Sequence, residues 1–344
     1  MSNPLKGWSV RPEDVTLTGK DLKRPECVLA ERNGDLWCAD IRGGVLRIRA
    51  DGVQEVIVPK NGGGPFAPDV PEPSLDADDF FSLPNGLCFD QNGDFIVCNF
   101  GTNRIEHLTR EGQHKVLFTE IEGQPIGKAN FPSLDSKGRL WFTVTATLDS
   151  WRARASAGSV KADGYIAMVE NGKPRIMATG FRGTNEIRFD ENEEWLYVAE
   201  TGGDHMTRLR VQPDGTLTDR EIYGPEKLGG NPDGFAFDSY GNMWVTTITA
   251  NRLMVISPER EAWTVWEDGD PAVKKPFLEL ESKTRKNLYR HAPGLLAPRM
   301  ASVTFGGPDL CNVYVGSLVG TSLPTFRSPI PGRALSHWNA SWSK

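Results

Sequence analysis

The 344-residue sequence lacks long apolar runs, paired cysteines and extended helical periodicity. No apolar segment approaches the roughly 20 residues that a membrane-spanning helix needs, and the N-terminus shows no basic-then-apolar signal region. The 5 cysteines include no CxxC pair, which indicates reduced thiols inside strands rather than a disulfide framework. We therefore expect a cytoplasmic protein with no membrane partner.

Several enzyme motifs are missing as well. The absence of HExxH, GxSxG, P-loop and GxGxxG sequences argues against zincins, α/β-hydrolases and nucleotide-binding folds. The formal net charge is -6, with acidic and basic residues mixed along the chain. Such a charge distribution gives no reason to expect a nucleic-acid partner, so a small molecule is the expected ligand. No pattern in the sequence predicts the oligomeric state.

Turn-forming and aromatic residues are plentiful: the chain has 36 Gly, 24 Pro, 10 Trp and 16 Phe. This composition favours many short strands joined by turns. A chain of 344 residues also exceeds the size at which one core usually stops growing. It is therefore either two domains or one architecture that grows by repetition.

One phrase recurs along the chain. Each copy begins with a polar anchor residue, continues through an apolar segment and a turn rich in Asp, Asn, Ser and Gly, and ends in an aromatic-rich strand. This is the composition of a β-hairpin. The anchors, in order, are Glu26, Asn85, Asn130, Asn185, Asp233 and Ser302. The fourth and sixth copies fit best with one extra residue in the turn.

The repeat predicts an all-β fold, a single six-bladed β-propeller domain over residues 1–344 with four-stranded blades around a central channel. After the second copy, Asn103–Thr109 and His114–Thr119 supply two further strand-like segments. The chain after Ser317 is too short to complete a blade. Residues around Trp8–Leu17 are therefore predicted to provide the missing strand.

The remaining length has loop-like composition. Insertions are predicted at about 61–81, 148–163 and 268–298, where the chain is rich in Gly and Pro, in small and basic residues, or in charge. Long insertions in a compact domain are often binding loops, so we expect these three to surround the mouth of one site.

The anchors are predicted to bind a metal ion. Equivalent positions in successive blades reach the same height on a propeller axis, so the anchors should converge. A buried ring of oxygen-bearing side chains carries a desolvation cost that a cation would offset. Oxygen-only ligation favours hard ions, so Ca²⁺ is expected first, then Mg²⁺ or Mn²⁺, with Zn²⁺ as a substitute. Taken singly, each anchor is better explained as a turn residue; their shared register favours the metal.

The anchors and their flanking residues resemble the senescence marker protein, gluconolactonase and luciferin-regenerating enzyme family, with relatives in regucalcin and diisopropyl fluorophosphatase. The resemblance extends from about Pro25 to Gly316, and the fifth-blade PDG followed by GNMWV is its most specific part. It implies a lactone-opening hydrolase with a single divalent cation. The ligands that it implies are Glu26, Asn130, Asn185 and Asp233.

Three residues beside these ligands depart from the family pattern. Phe131 follows the third anchor where Asp is common, Lys128 stands where Arg is frequent, and Glu186 follows the fourth anchor where Gly is usual. These changes favour a lactone less polar than an aldonolactone. An apolar pocket is expected from a set of aromatic side chains: Phe131, Trp151, Phe66, Phe80 and Phe81.

The resemblance also implies residue roles. The cation would act as a Lewis acid on the ester carbonyl, and Asp233 is the predicted general base or nucleophile. Asn85 and Ser302 are candidates to orient the substrate or a metal-bound water, and Lys128 is a candidate to stabilise an oxyanion. His291 is also a candidate substrate-binding residue. His291 and His205 are weaker candidates for a second acid or base, because histidines in loops are more often surface residues.

Two other functions stay open on the sequence alone. One is a different reaction on the same scaffold, such as phosphotriester hydrolysis or isomerisation, and the other is ligand binding without turnover. The carboxylate anchors favour an enzyme, because an interaction propeller needs no charge on its axis. The segment Asp90–Asp94 resembles the start of an EF-hand loop, but it lacks the later Gly and Glu and predicts a hairpin turn.

Overall fold

The computed structural model describes residues 3–60, 82–157, 161–269, 295–340 and 342. Within these residues the chain forms six four-stranded antiparallel sheets and a separate two-stranded hairpin. The predicted six-bladed β-propeller is confirmed. The insertion at 61–81 and residues 270–294 of the third insertion, including His291, lie outside the described residues, as do Phe66, Phe80 and Phe81.

Strands are numbered in chain order. Blade 1 contains β2 (Val28–Ala30), β3 (Leu36–Asp40), β4 (Gly44–Ile48) and β5 (Gln54–Ile57). Blade 2 contains β6 (Pro84–Phe89), β7 (Phe95–Asn99), β8 (Arg104–Leu108) and β9 (His114–Phe118). Blade 3 contains β12 (Ala129–Leu134), β13 (Leu140–Val144), β14 (Gly164–Glu170) and β15 (Lys173–Phe181).

The later blades repeat this order. Blade 4 contains β16 (Thr184–Phe189), β17 (Trp195–Glu200), β18 (His205–Val211) and β19 (Leu217–Tyr223). Blade 5 contains β20 (Pro232–Phe237), β21 (Met243–Thr247), β22 (Arg252–Ile256) and β23 (Ala262–Glu267). Blade 6 contains β24 (Met300–Gly306), β25 (Asn312–Ser317), β26 (Leu323–Arg327) and the N-terminal strand β1 (Thr16–Thr18).

The N-terminal strand completes the last blade. Thr16 pairs with Thr325 and Thr18 with Leu323 in antiparallel register, so β1 is the outer strand beside β26. This confirms the predicted closure by residues near Trp8–Leu17. The two strands predicted after the second anchor are also confirmed, as β8 and β9.

Elements outside the blades are few among the described residues. They are the hairpin of β10 (Glu120–Ile121) and β11 (Gln124–Pro125), helix α1 (Leu148–Ala157), and 3-10 helices Pro12–Asp14 and Ser336–Asn339. Helix α1 occupies a segment for which composition predicted a loop. The small and basic residues of this segment are good helix formers, and the Thr147 hydroxyl accepts the backbone N–H of Ser150 at 3.3 Å as an N-cap.

A turn aspartate stabilises several inner hairpins. In blade 5, Asp238 Oδ1 accepts the backbone N–H groups of Tyr240 and Asn242 at 3.0 and 2.9 Å, and its Oδ2 accepts the indole N–H of Trp244 at 3.0 Å. Asp135 accepts the indole N–H of Trp141 in blade 3 in the same way, at 3.0 Å. In these two blades the turn aspartate therefore satisfies the indole N–H of the buried tryptophan.

The chain packs as two compact units. The first contains Met1–Cys38, Leu46–Glu55 and Gly224–Lys344, and the second contains Ala39–Val45 and Val56–Tyr223. In the first unit, Trp244 packs edge-on against Phe305 at 5.4 Å within an apolar cluster that includes Val255, Val313 and Phe326. In the second, Ile96, Ile105, Phe142 and Tyr165 belong to the corresponding cluster.

Candidate metal centre

The anchor residues lie at the beginning of the inner hairpins. Glu26 precedes β2, and the other anchors lie within the first strands of blades 2 to 6. Every anchor side chain is buried, with exposed fractions of 3% for Glu26, 4% for Asn130, 7% for Asn185 and 2% for Asp233. The backbone thus places polar side chains where apolar ones would ordinarily pack.

A β-bulge accompanies these anchors. In blades 2 to 5 the register between the first and second strands shifts across the anchor: between Pro84 and Leu87, Ala129 and Pro132, Thr184 and Ile187, and Pro232 and Phe235. A bulge turns one side chain out of the regular alternation. The repeat therefore re-aims the anchor side chain in each of these blades by the same backbone device.

Two threonines bind the amide groups of the third and fourth anchors. Asn130 Nδ2 donates to Thr145 Oγ1 at 2.9 Å, and Asn185 Nδ2 donates to Thr201 Oγ1 at 3.0 Å. The side-chain carbonyl oxygens of both asparagines are buried and have no hydrogen-bond partner within the described part of the chain. Each amide thus uses its donor on the protein and leaves its acceptor unsatisfied.

Unsatisfied buried carbonyl oxygens are unfavourable unless a ligand completes them. An amide oxygen is also a hard donor of the type that Ca²⁺ and Mg²⁺ prefer. Asn130 and Asn185 therefore fit the expected cation chemically. Neither threonine was predicted from the sequence, because the hydrogen bonds depend on the strand register.

The carboxylate anchors and the sixth anchor belong to the first unit. Glu26 and Asp233 are buried, and the Ser302 hydroxyl, also buried, has no hydrogen-bond partner among the residues described. A Cβ atom at Gly316 would lie 2.2 Å from Ser302 Oγ and 2.5 Å from the Glu26 carbonyl oxygen. Only glycine permits this close approach of β25 to the anchors of blades 6 and 1.

A family model described as the SMP-30/gluconolactonase/LRE-like region matches residues 24–274. The chain belongs to this family. A 6-deoxy-6-sulfogluconolactonase of Pseudomonas putida is 26% identical over 242 residues, which cover 68% of this chain and 70% of that protein. The resemblance predicted from the anchors is therefore confirmed.

Several solved structures share this fold. A gluconolactonase of Xanthomonas campestris has a TM-score of 0.65 at 18% identity, covering 97% of this chain and 94% of the other. The calcium-binding protein regucalcin of Agrobacterium tumefaciens has a TM-score of 0.64 at 14% identity, covering 92% and 93%. At these identities the similarity establishes the fold.

Lys128, at a family position where Arg is frequent, is held by two aromatic residues. Its Nζ donates to the Phe100 carbonyl at 3.3 Å and lies 5.3 Å from the Phe100 ring centroid and 5.8 Å from that of Trp151. The two rings meet edge-to-face at 5.0 Å. Trp151 belongs to α1, so the second insertion contributes an aromatic wall beside this cation.

The other two departures from the family pattern contact one another through Arg188. The guanidinium of Arg188 lies 5.3 Å from the centroid of the Phe131 ring, and its Nη2 donates to Glu186 Oε2 at 3.0 Å. Phe131 and Glu186 are both buried. The structure thus places Phe131 in an internal stack, where its ring packs against Arg188.

The remaining predicted site residues lie as follows. Asn85 is buried, and its Nδ2 donates to the Asn130 carbonyl at 3.4 Å, which joins the second and third anchors. His205 Nε2 lies 3.3 Å from Glu200 Oε1, in a network that also includes Thr207 and Arg220. His205 therefore contacts a buried carboxylate on its own sheet.

A second group of possible metal ligands lies in the blade 2 turn. Ligand atoms of Asp90, Asp94 and His107 all lie within 4.8 Å of one another. Asp90 Oδ1 accepts the backbone N–H groups of Asn92 and Asp94 at 2.8 and 2.9 Å, and Asp90 Oδ2 lies 2.9 Å from His107 Nε2. These contacts are those of a hairpin turn.

A cavity of about 500 Å³ opens in the second unit beside the β10–β11 hairpin. Ile121, Thr147, Asp163, Tyr165 and Ile176 are among its lining residues, and the anchors are not. It is therefore separate from the candidate metal centre. No helix within the described ranges has the length and apolar character needed to cross a membrane.

Proposed function

We propose that this protein is a metal-dependent lactonase in which Glu26, Asn130, Asn185 and Asp233 bind one divalent cation, Ca²⁺ before Mg²⁺, Mn²⁺ or Zn²⁺. The observation that carries the proposal is the pair of buried, unsatisfied carbonyl oxygens on Asn130 and Asn185. Membership of a family that includes lactonases supports the reaction, and the calcium-binding protein of the same fold supports the choice of ion.

The bound cation would supply Lewis-acid polarisation of the ester carbonyl. Asp233 acts as the general base or as the nucleophile, because a carboxylate beside the reacting carbonyl can remove a proton from water or attack the carbon itself. Lys128 offers a positive charge for the oxyanion. Asn85 and Ser302 orient the substrate, and His291, which lies outside the described residues, stays a substrate contact predicted from the sequence alone.

The substrate is proposed to be less polar than an aldonolactone. The support is the Phe100 and Trp151 pair beside Lys128, which places aromatic surface at the position where the family frequently has an arginine. Aromatic surface with one convergent cation suits a lactone whose body is apolar and whose carbonyl is polarised.

The experiment is a pH-stat titration against a lactone panel that includes aliphatic lactones, aromatic lactones and an aldonolactone. The proposal expects acid release that stops on adding a chelator and returns with calcium, and higher kcat/KM for the apolar lactones. Chelator-resistant acid release would contradict the metal dependence. Fastest turnover of the aldonolactone would contradict the substrate preference alone.

A further inference from the structure

We propose that Thr145 is a positioning residue that decides which end of the Asn130 amide faces the cation. The inference rests on the proposed metal function and adds a residue to it. Asn130 lies on β12, and Thr145 directly follows β13 in the same blade. The two side chains meet through the 2.9 Å contact between Asn130 Nδ2 and Thr145 Oγ1.

The direction of this hydrogen bond is set by a third group. Thr145 Oγ1 lies 2.9 Å from the backbone carbonyl oxygen of Thr184, which can only accept. The single hydroxyl proton is therefore committed to Thr184, and the oxygen can only accept from Asn130. If the Asn130 amide were turned the other way, its Oδ1 would face Thr145 Oγ1, and two acceptors would repel one another. Nδ2 therefore faces Thr145 and Oδ1 faces away.

The contact also couples two anchors. Thr184 immediately precedes Asn185, the fourth anchor, so one hydroxyl connects the Asn130 side chain to the backbone that carries Asn185. Space is tight at this point: a Cβ atom at Gly164 would lie 2.2 Å from Thr184 Oγ1 and 2.7 Å from the Thr145 carbonyl oxygen. The threonine is thus held by close backbone packing.

The same contact between a threonine and the anchor amide occurs in blade 4, and other residues stand in place of the threonine in blades 2 and 5. Thr145 and Thr201 each donate their backbone N–H to the carbonyl of the residue two positions before the anchor, Lys128 and Gly183. In blades 2 and 5 the residues that make this backbone bond are Phe100 and Ile248. Their anchors are Asn85, which is not a predicted ligand, and Asp233, whose carboxylate has no amide orientation to fix.

Threonine therefore occupies this position beside the two asparagines that are predicted ligands. This distribution follows the chemical need for a fixed amide, since only the carbonyl oxygen of an amide can bind the cation and its NH2 group can only donate hydrogen bonds. Groups that orient a metal ligand typically change metal affinity about 10- to 100-fold when they are removed.

The test measures calcium affinity, by competition with a chromophoric chelator, for the full chain and for Thr145→Val, which keeps the shape and removes the hydroxyl. The inference expects the calcium Kd to rise about 10- to 100-fold in Thr145→Val and to stay within about 3-fold of the wild-type value in Thr145→Ser. Thr201→Val, at the more exposed partner of Asn185, should shift Kd in the same direction.

Thr143→Val is the matched control. Thr143 lies on β13 two residues away, is fully buried, and its hydroxyl contacts only the Phe131 backbone among the contacts described, accepting from the N–H at 3.0 Å. It should bind calcium as the wild type does. Thermal unfolding without calcium separates loss of affinity from loss of fold, and the serine and Thr201→Val variants carry the test if Thr145→Val does not fold.

Three outcomes separate the claims. Loss of affinity in Thr145→Val with recovery in Thr145→Ser supports the positioning role. Unchanged affinity in both valine variants, while the wild type binds calcium, overturns the positioning role and leaves the proposed function standing. A wild-type protein that binds none of Ca²⁺, Mg²⁺, Mn²⁺ and Zn²⁺ overturns both.

Discussion

The blade 3 anchor Asn130 and the blade 2 turn, which comprises Asp90 and Asp94 with His107 beside them, both place polar side chains together in the second unit. The two regions differ in whether those side chains have hydrogen-bond partners. In the turn, Asp90 and His107 satisfy one another, and Asp90 also caps two backbone N–H groups. At the anchor, Asn130 donates to Thr145 while its carbonyl oxygen is buried without a partner in the described chain. Asp90, Asp94 and His107 each have a hydrogen-bond partner within the fold, whereas a neutral amide is left with an unsatisfied acceptor.

We propose that hydrogen-bond satisfaction distinguishes a ligand site from a structural cluster better than residue type does. The anchors should affect ion binding and turnover, and the turn should affect stability.

The largest effect is expected at Asp233. Asp233→Ala should lower kcat by more than about 10-fold, corresponding to a loss of at least about 1.4 kcal/mol of transition-state stabilisation, because it removes the proposed base or nucleophile. The measurement is steady-state hydrolysis of the best lactone in saturating calcium. Asp90→Ala is the matched carboxylate deletion and should retain wild-type kcat. Retention of more than about a tenth of wild-type kcat in Asp233→Ala would discredit its catalytic assignment.

Ion affinity should separate the two regions next. Asn130→Ala should raise the calcium Kd at least about 10-fold, because it deletes a ligand oxygen from the proposed site. His107→Ala should leave that Kd unchanged. Isothermal titration with calcium measures both. Equal loss of affinity in the two variants would place the ion in the turn.

Glu200 extends the comparison to a buried carboxylate that the fold satisfies. Burial alone would raise its pKa, but hydrogen bonds from His205, Thr207 and the Arg182 backbone N–H, with the charge of Arg220, lower the pKa from 4.5 to about 2. A folded-state pKa below the unfolded value contributes stability that is present above pH 4.5 and is lost as pH falls toward 2.

The expected size of this contribution is about 3 kcal/mol at neutral pH. Urea unfolding of the wild type should therefore show a free energy of unfolding that falls between pH 4.5 and 2, and Glu200→Gln should show a weaker fall over the same range. Parallel pH profiles for the two proteins would contradict the assignment. Calcium affinity at neutral pH should not distinguish them, because Glu200 is not a predicted ligand.

The smallest effect is expected in the blade 2 turn. Asp90→Ala removes the cap of two backbone N–H groups and the contact with His107, which should lower the free energy of unfolding by about 1 to 2 kcal/mol. Chemical denaturation in the presence of a chelator measures this without contribution from the ion. A loss of stability that appears only when calcium is present would instead make the turn a ligand site.

The blades and the anchors were predictable from the sequence because they repeat. Alternation, turn composition and the anchor register located the hairpins and the strand that completes blade 6. Helix α1 was not predicted, because the small and basic residues of its segment have a loop-like composition. Thr147 as an N-cap residue and the alanines that follow favour a helix. Composition alone does not distinguish an insertion that is a loop from one that is a short helix.

The anchor residues were predicted from the sequence, but the side chains that contact them were not. Thr145 and Thr201 lie 15 and 16 residues beyond their asparagines, so their contacts exist only once the strands pair. The contact between Phe131 and Arg188 could not be predicted from the sequence either, because the two residues lie in different blades. Sequence periodicity predicts which residues share a register, and hydrogen bonds across strands depend on the folded backbone.

The most direct test of the account is a crystal structure of the protein grown with Mn²⁺, with anomalous difference density used to locate the ion. One strong peak is expected at coordination distance, about 2.2 Å, from Oδ1 of both Asn130 and Asn185. A peak between Asp90 and His107 with none at the asparagines would contradict it.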